Sequence, residues 1–333
     1  MSENRGKQMM SESKFFMGYS RFMENAERYE TWDESVERVM NMHREKYNDV
    51  MTDELEELIQ FAEEQYKNKN VLGSQRALQF GGDQIFKHEM RLYNCSYSHV
   101  DRARFFQDCM MLLLCGAGVG FSVQKHHVAQ LPKVKKRYDK KSKVHTVSDD
   151  IEGWSNAFGV LLSSYFEDGG TFPEYKGCQV HFDYSNIRPK GSYISGGFKA
   201  PGPDGLRQSL QRCEDILNEY VRDTKEALAM KPIIAYDLIM HMADAVLSGG
   251  VRRSATLALF SKDDEEMMNA KTGNWFINNP QRGRSNNSAV LVRDDVKKDE
   301  FDVFMESVKD FGEPGFVFTE STEHGFNPLM IAA

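Results

Sequence analysis

The sequence predicts an α/β fold preceded by a helical segment, on three observations. Apolar residues near the N-terminus recur at helical spacing. From about residue 90 the texture changes to an apolar helix that runs into a glycine turn and a strand. The same succession returns between residues 239 and 260. At 333 residues the chain is long enough for two domains or one large α/β unit, at about 150 residues per domain. The organisation expected is a helical segment over 1–90, an α/β part over 91–328 and a short tail at 329–333.

The elements follow in order. Leu55, Leu58, Ile59 and Ala62 have the i, i+3, i+4, i+7 spacing of one helix face; Thr52 is the N-cap, and Asp53 and Glu54 suit the positive end of the helix dipole. LYNCSYSHV, around residues 92–100, reads as strand and turn, and FFQDCMMLLLCGAGVGFSVQ as helix, glycine turn and strand. Seven Lys or Arg in LPKVKKRYDKKSKVH read as a solvated loop or a phosphate-facing one, with too few aromatics for a base-stacking platform. A helix is expected over Ile151–Phe166. FDYSNIRPKGSYISGGFKAPGPDG, with five Gly and three Pro, then reads as a long ordered loop of the kind that lines sites. Ile239, Met242, Ala243 and Val246 define an amphipathic helix stopped by Ser248, Gly249 and Gly250, and TLALF is a buried strand.

Composition narrows the function. A net charge of −8 gives no broad basic face for duplex nucleic acid. The longest apolar stretch, about 14 residues from Met110 to Val123, is short of the roughly 20 a bilayer span needs. The N-terminus has no apolar core before a cleavage site, so a cytoplasmic, reducing compartment is expected, without nucleic-acid or membrane partners. Five cysteines without a CxxC pair fit neither a disulfide framework nor a zinc ribbon.

Motif tests exclude more than they assign. In Gly116, Gly118, Gly120 the third glycine comes one residue too early for a dinucleotide fingerprint, and no P-loop is present. What remains is a place of close backbone approach, or a helix cap needed only for packing. There is no H-E-x-x-H, and the adjacent His126 and His127 do not share a helix face, which argues against a protein-built zinc site. Cys109 and Cys115 sit in an apolar run and read as packing residues. Cys95, after Asn94 in a polar segment, is either an inert thiol or a nucleophile or redox group.

A resemblance raises the standing of Cys95. LYNCSY, DCMMLLLCGAGVGFSVQ, QLP, DYSNIRPKGSYISGGFKAPGPDG, SGGVRRSATLALF, NPQRGRSNNSAVL, GEPGFVF and HGFNP, in this order, resemble the large catalytic subunit of ribonucleotide reductases. In detail they are most like the adenosylcobalamin-dependent (class II) enzymes, over about residues 18–328. The resemblance implies a ten-stranded α/β barrel, two antiparallel halves of five parallel strands, with a central finger loop carrying a thiyl-radical cysteine. It implies reduction of ribonucleotides, triphosphates by the closest likeness, to 2′-deoxyribonucleotides for DNA synthesis. Adenosylcobalamin would be the radical source, a thioredoxin-like protein the reductant and a deoxynucleotide or ATP the effector.

Carried over by position, Cys95 matches one member of the redox pair and Asn94 lies beside it at the substrate. Gly118 and Gly120 match a loop where backbone approaches the nucleotide. Gly249, Gly250, Arg252 and Arg253 match the effector loop that sets base specificity, where the planar guanidinium suits base edges and phosphates. Asn327 and Pro328 match the start of the finger loop. For Asn286, Asn287 and Ser288 packing and function stay equally open.

The sequence departs from the pattern after Pro328, where Leu329, Met330 and Ile331 stand in place of the radical cysteine and the catalytic glutamate. The expectation is a fragment active only with its C-terminal half, from an intein or gene split or a truncated gene. An inactive nucleotide-binding remnant and a fragment of a class I ribonucleoside-diphosphate reductase are the alternatives.

Overall fold

The computed structural model describes residues 2–194, 198–247 and 255–331. The chain divides into two compact units: Met1–Asn94 with Tyr193–Phe198, and Cys95–Ser192 with Lys199–Ala333.

The first unit holds helices α1 (Ser2–Gly18), α2 (Trp32–Lys46) and α3 (Asp53–Lys67), with a two-residue antiparallel hairpin between α1 and α2. A reciprocal capping box starts α2: Thr31 Oγ1 accepts from Glu34 N at 3.3 Å, and Glu34 Oε2 accepts from Thr31 N at 2.7 Å. Thr52 caps α3 as the sequence predicts, accepting from Leu55 N at 3.2 Å. The buried face of α3 is narrower than its spacing suggests. Ile59 and Tyr66 are buried and Leu55 packs beside them, but Leu58 and Ala62 face outward. The stripe therefore runs through Leu55, Ile59 and Tyr66, which cluster with Val36, Val39 and Met40 of α2.

Glu30 is a buried charge of this unit. Burial pushes its carboxyl up, and the paired Arg38, with Nε 2.7 Å from Oε1 and Nη2 2.8 Å from Oε2, more than reverses this, so it sits below the ordinary range. Arg38→Ala strands that carboxylate and is expected to destabilise the unit by about 3 kcal/mol, read as faster hydrogen exchange in α2. Exchange at the wild-type rate counts against it.

The second unit is built on five parallel strands: β1 (Cys95–His99), β2 (Gly118–Ser122), β3 (Thr256–Ser261), β4 (Ser285–Val292) and β5 (Gly315–Thr319). Their spatial order is their chain order, in one sheet. Parallel neighbours need crossovers, and helices supply them: α4 (Phe105–Leu114) follows β1, α5 (Ile151–Tyr165), α6 (Asp204–Tyr220) and α7 (Pro232–Leu247) lie between β2 and β3, and α8 (Lys298–Phe311) follows β4. Val119, Phe121, Ala258, Phe260, Ala289 and Leu291 alternate onto the helix-covered face and form one core with the helices. The opposite face carries a second cluster of Leu257, Leu259, Val290 and Val317, joined by Tyr97 and Phe326.

The order helix, glycine turn, strand at 105–122 is as the sequence predicts, with Gly116 at φ +81° ending α4. Two expectations are corrected. Helix α7 is buried on nearly all sides, not amphipathic, because it is packed between the sheet, α4 and α6. The basic stretch at 132–145 is not simply a solvated loop. Val134 bridges to Phe166 and Leu228, Arg137 is buried against Glu214 with its guanidinium 4.4 Å from the Tyr165 ring centroid, and Ser142–Thr146 is a strand paired in parallel with Gln179–Asp183. The long loop holds a short hairpin, Tyr193–Ile194 with Phe198–Lys199.

Burial keeps His145 and His241 below the ordinary histidine value and hence neutral near pH 7. The unfolded chain takes its protons first, near the ordinary value of about 6.5, so acid favours unfolding until the folded-state values are passed. Stability of the second unit is expected to fall between pH 7.5 and 5.5, seen as faster exchange in α7. A flat profile would oppose this.

Candidate active site

Parallel strands in register place alternate residues of neighbouring strands side by side. Cys95 pairs with Gly118 and Tyr97 with Gly120 at the amino-terminal half of β1 and β2; His99 pairs with Ser122 at the carboxyl end. These six lie on the sheet face away from the helices. Both glycines are strand residues here, not loop residues.

The segment after β5 returns across this face. A Cβ on Gly120 would collide with Phe326 O and stand 3.1 Å from Asn327 Cα. One on Gly118 would lie 3.0 Å from Cys95 Sγ, and 3.4 Å from both Ala255 O and Pro328 Cγ. Gly325 in turn lies against the Tyr97 ring. The glycines are thus explained by close approach, of this chain's own backbone at Gly120 and first of the Cys95 sulfur at Gly118. Asn327 Oδ1 accepts from Leu329 N at 3.0 Å, turning the chain at Pro328.

All five cysteines are among the described residues, and none is in a disulfide. Cys109, Cys115, Cys178 and Cys213 are buried; burial pushes the Cys109 thiol up to about 12 and raises that of Cys213 too. Cys95 alone is partly exposed. Such thiols can do chemistry where buried ones are inert.

Cys95, Gly118, Gly120 and Asn327 are therefore brought together, although 232 positions separate the first from the last. Asn94 belongs to the first unit, where its Oδ1 accepts from Arg76 Nε at 2.9 Å. Gly249, Gly250, Arg252 and Arg253 lie outside the described residues. Of the three left open, Asn287 is buried and accepts from Ser285 Oγ at 2.7 Å, Ser288 is buried, and Asn286 is exposed.

Sequence reasoning missed a cluster at the carboxyl ends of the strands. His99 and His127 stack with centroids 3.8 Å apart and planes 14° apart. His127 Nδ1 is 2.8 Å from Ser122 Oγ and its Nε2 is 3.1 Å from Glu323 Oε2, while His126 Nε2 is 2.8 Å from Glu323 Oε1. Burial holds His127 below the ordinary value, and the two imidazole contacts keep the Glu323 carboxyl below its own. The adjacency of His126 and His127 rules out a shared helix face but not assembly with β1 and the turn after β5. Only the two adjacent histidines were visible as a signal.

The fold and this face define a class: a parallel α/β sheet carrying a partly exposed thiol, glycine-floored and crossed by its own chain. The chain is similar over about nine-tenths of its length to adenosylcobalamin-dependent ribonucleoside-triphosphate reductases, so the resemblance carried by the motifs is borne out. It is 28% identical to that of Lactobacillus gasseri over 364 residues, covering 91% of this chain and 47% of the relative. It is 28% identical to that of Lactobacillus leichmannii over 358 residues, covering 90% and 47%. The chain thus spans about half the length of these curated relatives. No protein-family model matches it. A solved B12-dependent, class II ribonucleotide reductase shares the fold, with a TM-score of 0.75 and 24% identity over 93% of this chain and 49% of that one. Among the described residues no helix is long and apolar enough to cross a membrane.

Proposed function

We propose that this chain contributes the first five strands of a ten-stranded α/β barrel that reduces ribonucleoside triphosphates to 2′-deoxyribonucleotides, with adenosylcobalamin as cofactor. The observation that carries the reading is the convergence of Cys95, Gly118, Gly120 and Asn327 on one sheet face, at the positions the motifs select. The relatives' names and the shared fold support it.

Cys95 supplies reducing power. Its thiol and a second thiol give up two electrons and two protons, the ribose 2′-hydroxyl leaves as water, and a disulfide remains for a thioredoxin-like protein to reduce. The other four cysteines are core residues, so the partner thiol is assigned to the half of the relatives' length this chain does not span. The same half is assigned the radical cysteine that follows the finger segment. Gly118 and Gly120 let that segment lie directly on the sheet, which sets the distance from Cys95 to whatever Pro328 leads into. Asn327 is proposed to hold the ribose, with Asn94 near the substrate, and Gly249, Gly250, Arg252 and Arg253 to read the effector.

Adenosylcobalamin supplies a carbon-centred radical when its cobalt–carbon bond breaks. The nearest groups against Gly118 and Gly120, namely Cys95 Sγ, Ala255 O, Pro328 Cγ and the backbone of Phe326 and Asn327, include no imidazole to ligate cobalt. Contacts to the corrin are therefore assigned to the unspanned half, and no step is derived through it.

The test pairs this chain with a polypeptide matching the unspanned half of the relatives and assays deoxynucleotide formation. Activity that needs both polypeptides and adenosylcobalamin is expected. No activity from an associated, folded pair refutes the proposal.

A further inference from the structure

We propose that His99, His127 and Glu323 form a divalent-metal site, for zinc or a similar borderline cation, that staples the turn after β5 to the carboxyl ends of β1 and β2. It stands independently of the reductase reading.

One donor atom from each of the three residues lies within 4.8 Å of the others. Zinc–nitrogen and zinc–oxygen bonds of about 2.0–2.2 Å place tetrahedral donors about 3.3 Å apart. Glu323 Oε2 and His127 Nε2, at 3.1 Å, already have that spacing. His99 is the donor that must move in. It ends the edge strand β1, is only partly buried, and its ring nitrogens have no hydrogen-bond partner among the described residues, so a tilt from the stack breaks no bond.

The surroundings have the form that metal-binding histidines need. His127 is buried and its Nδ1 is fixed by Ser122 Oγ, which leaves Nε2 toward Glu323. His126 holds the second oxygen of the same carboxylate, the outer contact that orients a ligating carboxylate. Two imidazoles and one carboxylate leave a position for water and suit zinc or another first-row cation better than magnesium or calcium. Without metal, a proton bridges His127 Nε2 and Glu323 Oε2; the cation replaces it and the proton goes to solvent.

The consequence lies three residues on. Glu323 precedes Gly325 and the segment that crosses Gly118 and Gly120, so coordination anchors the root of that segment.

The test uses the full untagged chain with Cys95→Ser, so that the exposed thiol is not counted as a ligand, stripped with a chelator and titrated with Zn²⁺ against a chromophoric competitor. One equivalent at micromolar affinity or tighter is expected, weakened tenfold or more by Glu323→Gln and by His99→Gln. Both positions are at least partly exposed, and folding of the variants is verified by circular dichroism. Absence of binding, or binding that either variant weakens less than tenfold, overturns the site.

Discussion

Cys95→Ser in the assembled enzyme is expected to lower steady-state deoxynucleotide formation by about 100-fold or more, equivalent to about 2.7 kcal/mol of barrier. Nucleotide binding and the radical signal should remain. The reasoning is chemical. A hydroxyl replaces the thiol at nearly the same volume, so the sheet face and the crossing segment keep their places, while the two-electron couple loses one sulfur. Cys95 is partly exposed and its sulfur lies beside Gly118, where a serine hydroxyl is accommodated in the same space. Deoxynucleotide formation is measured with a dithiol reductant over many turnovers; unimpaired production would remove Cys95 from the redox pair.

Gly120→Val carries the second large effect, and it acts through geometry. Its Cβ would overlap Phe326 O and press on Asn327 Cα, and both obstacles are backbone that no rotamer change relieves. Either the segment 325–328 lifts from the sheet or β2 bends away from β1 and β3. Overpacking of this kind costs about 1–3 kcal/mol, and a displacement of about 1 Å at a reacting centre costs about 100-fold in rate. The expected result is a folded protein, judged by circular dichroism, whose 325–328 segment becomes accessible to proteolysis and whose reconstituted activity falls about 100-fold. Gly118→Ala is the contrast. Its Cβ would meet the Cys95 sulfur at 3.0 Å, a side-chain end that can rotate, so a smaller loss is expected. Equal losses from the two, or a Gly120→Val segment as protected as the wild type, would contradict this account of the glycine floor.

Local signals were legible in the sequence wherever one element decides its own form. Thr52 caps α3 because an N-cap needs only its own next turn, and 105–122 reads as helix, turn and strand because its apolar run and glycines act locally. Where burial depends on what lies opposite, the pattern misled. Leu58 follows the helical spacing but faces outward because α2 covers a different stripe, and Arg137 looks solvated in a lysine-rich stretch but is buried on Tyr165 and Glu214.

The kinds of element, their order, the polar-flanked cysteine and the motif series that singles out Cys95, Gly118, Gly120 and Asn327 are all legible along the chain. What the glycines make room for, and the meeting of His99, His127 and Glu323, emerge from packing alone. Spacing along a chain reports neighbours within one helix or strand, whereas parallel register joins residues tens to hundreds of positions apart and leaves no periodic trace.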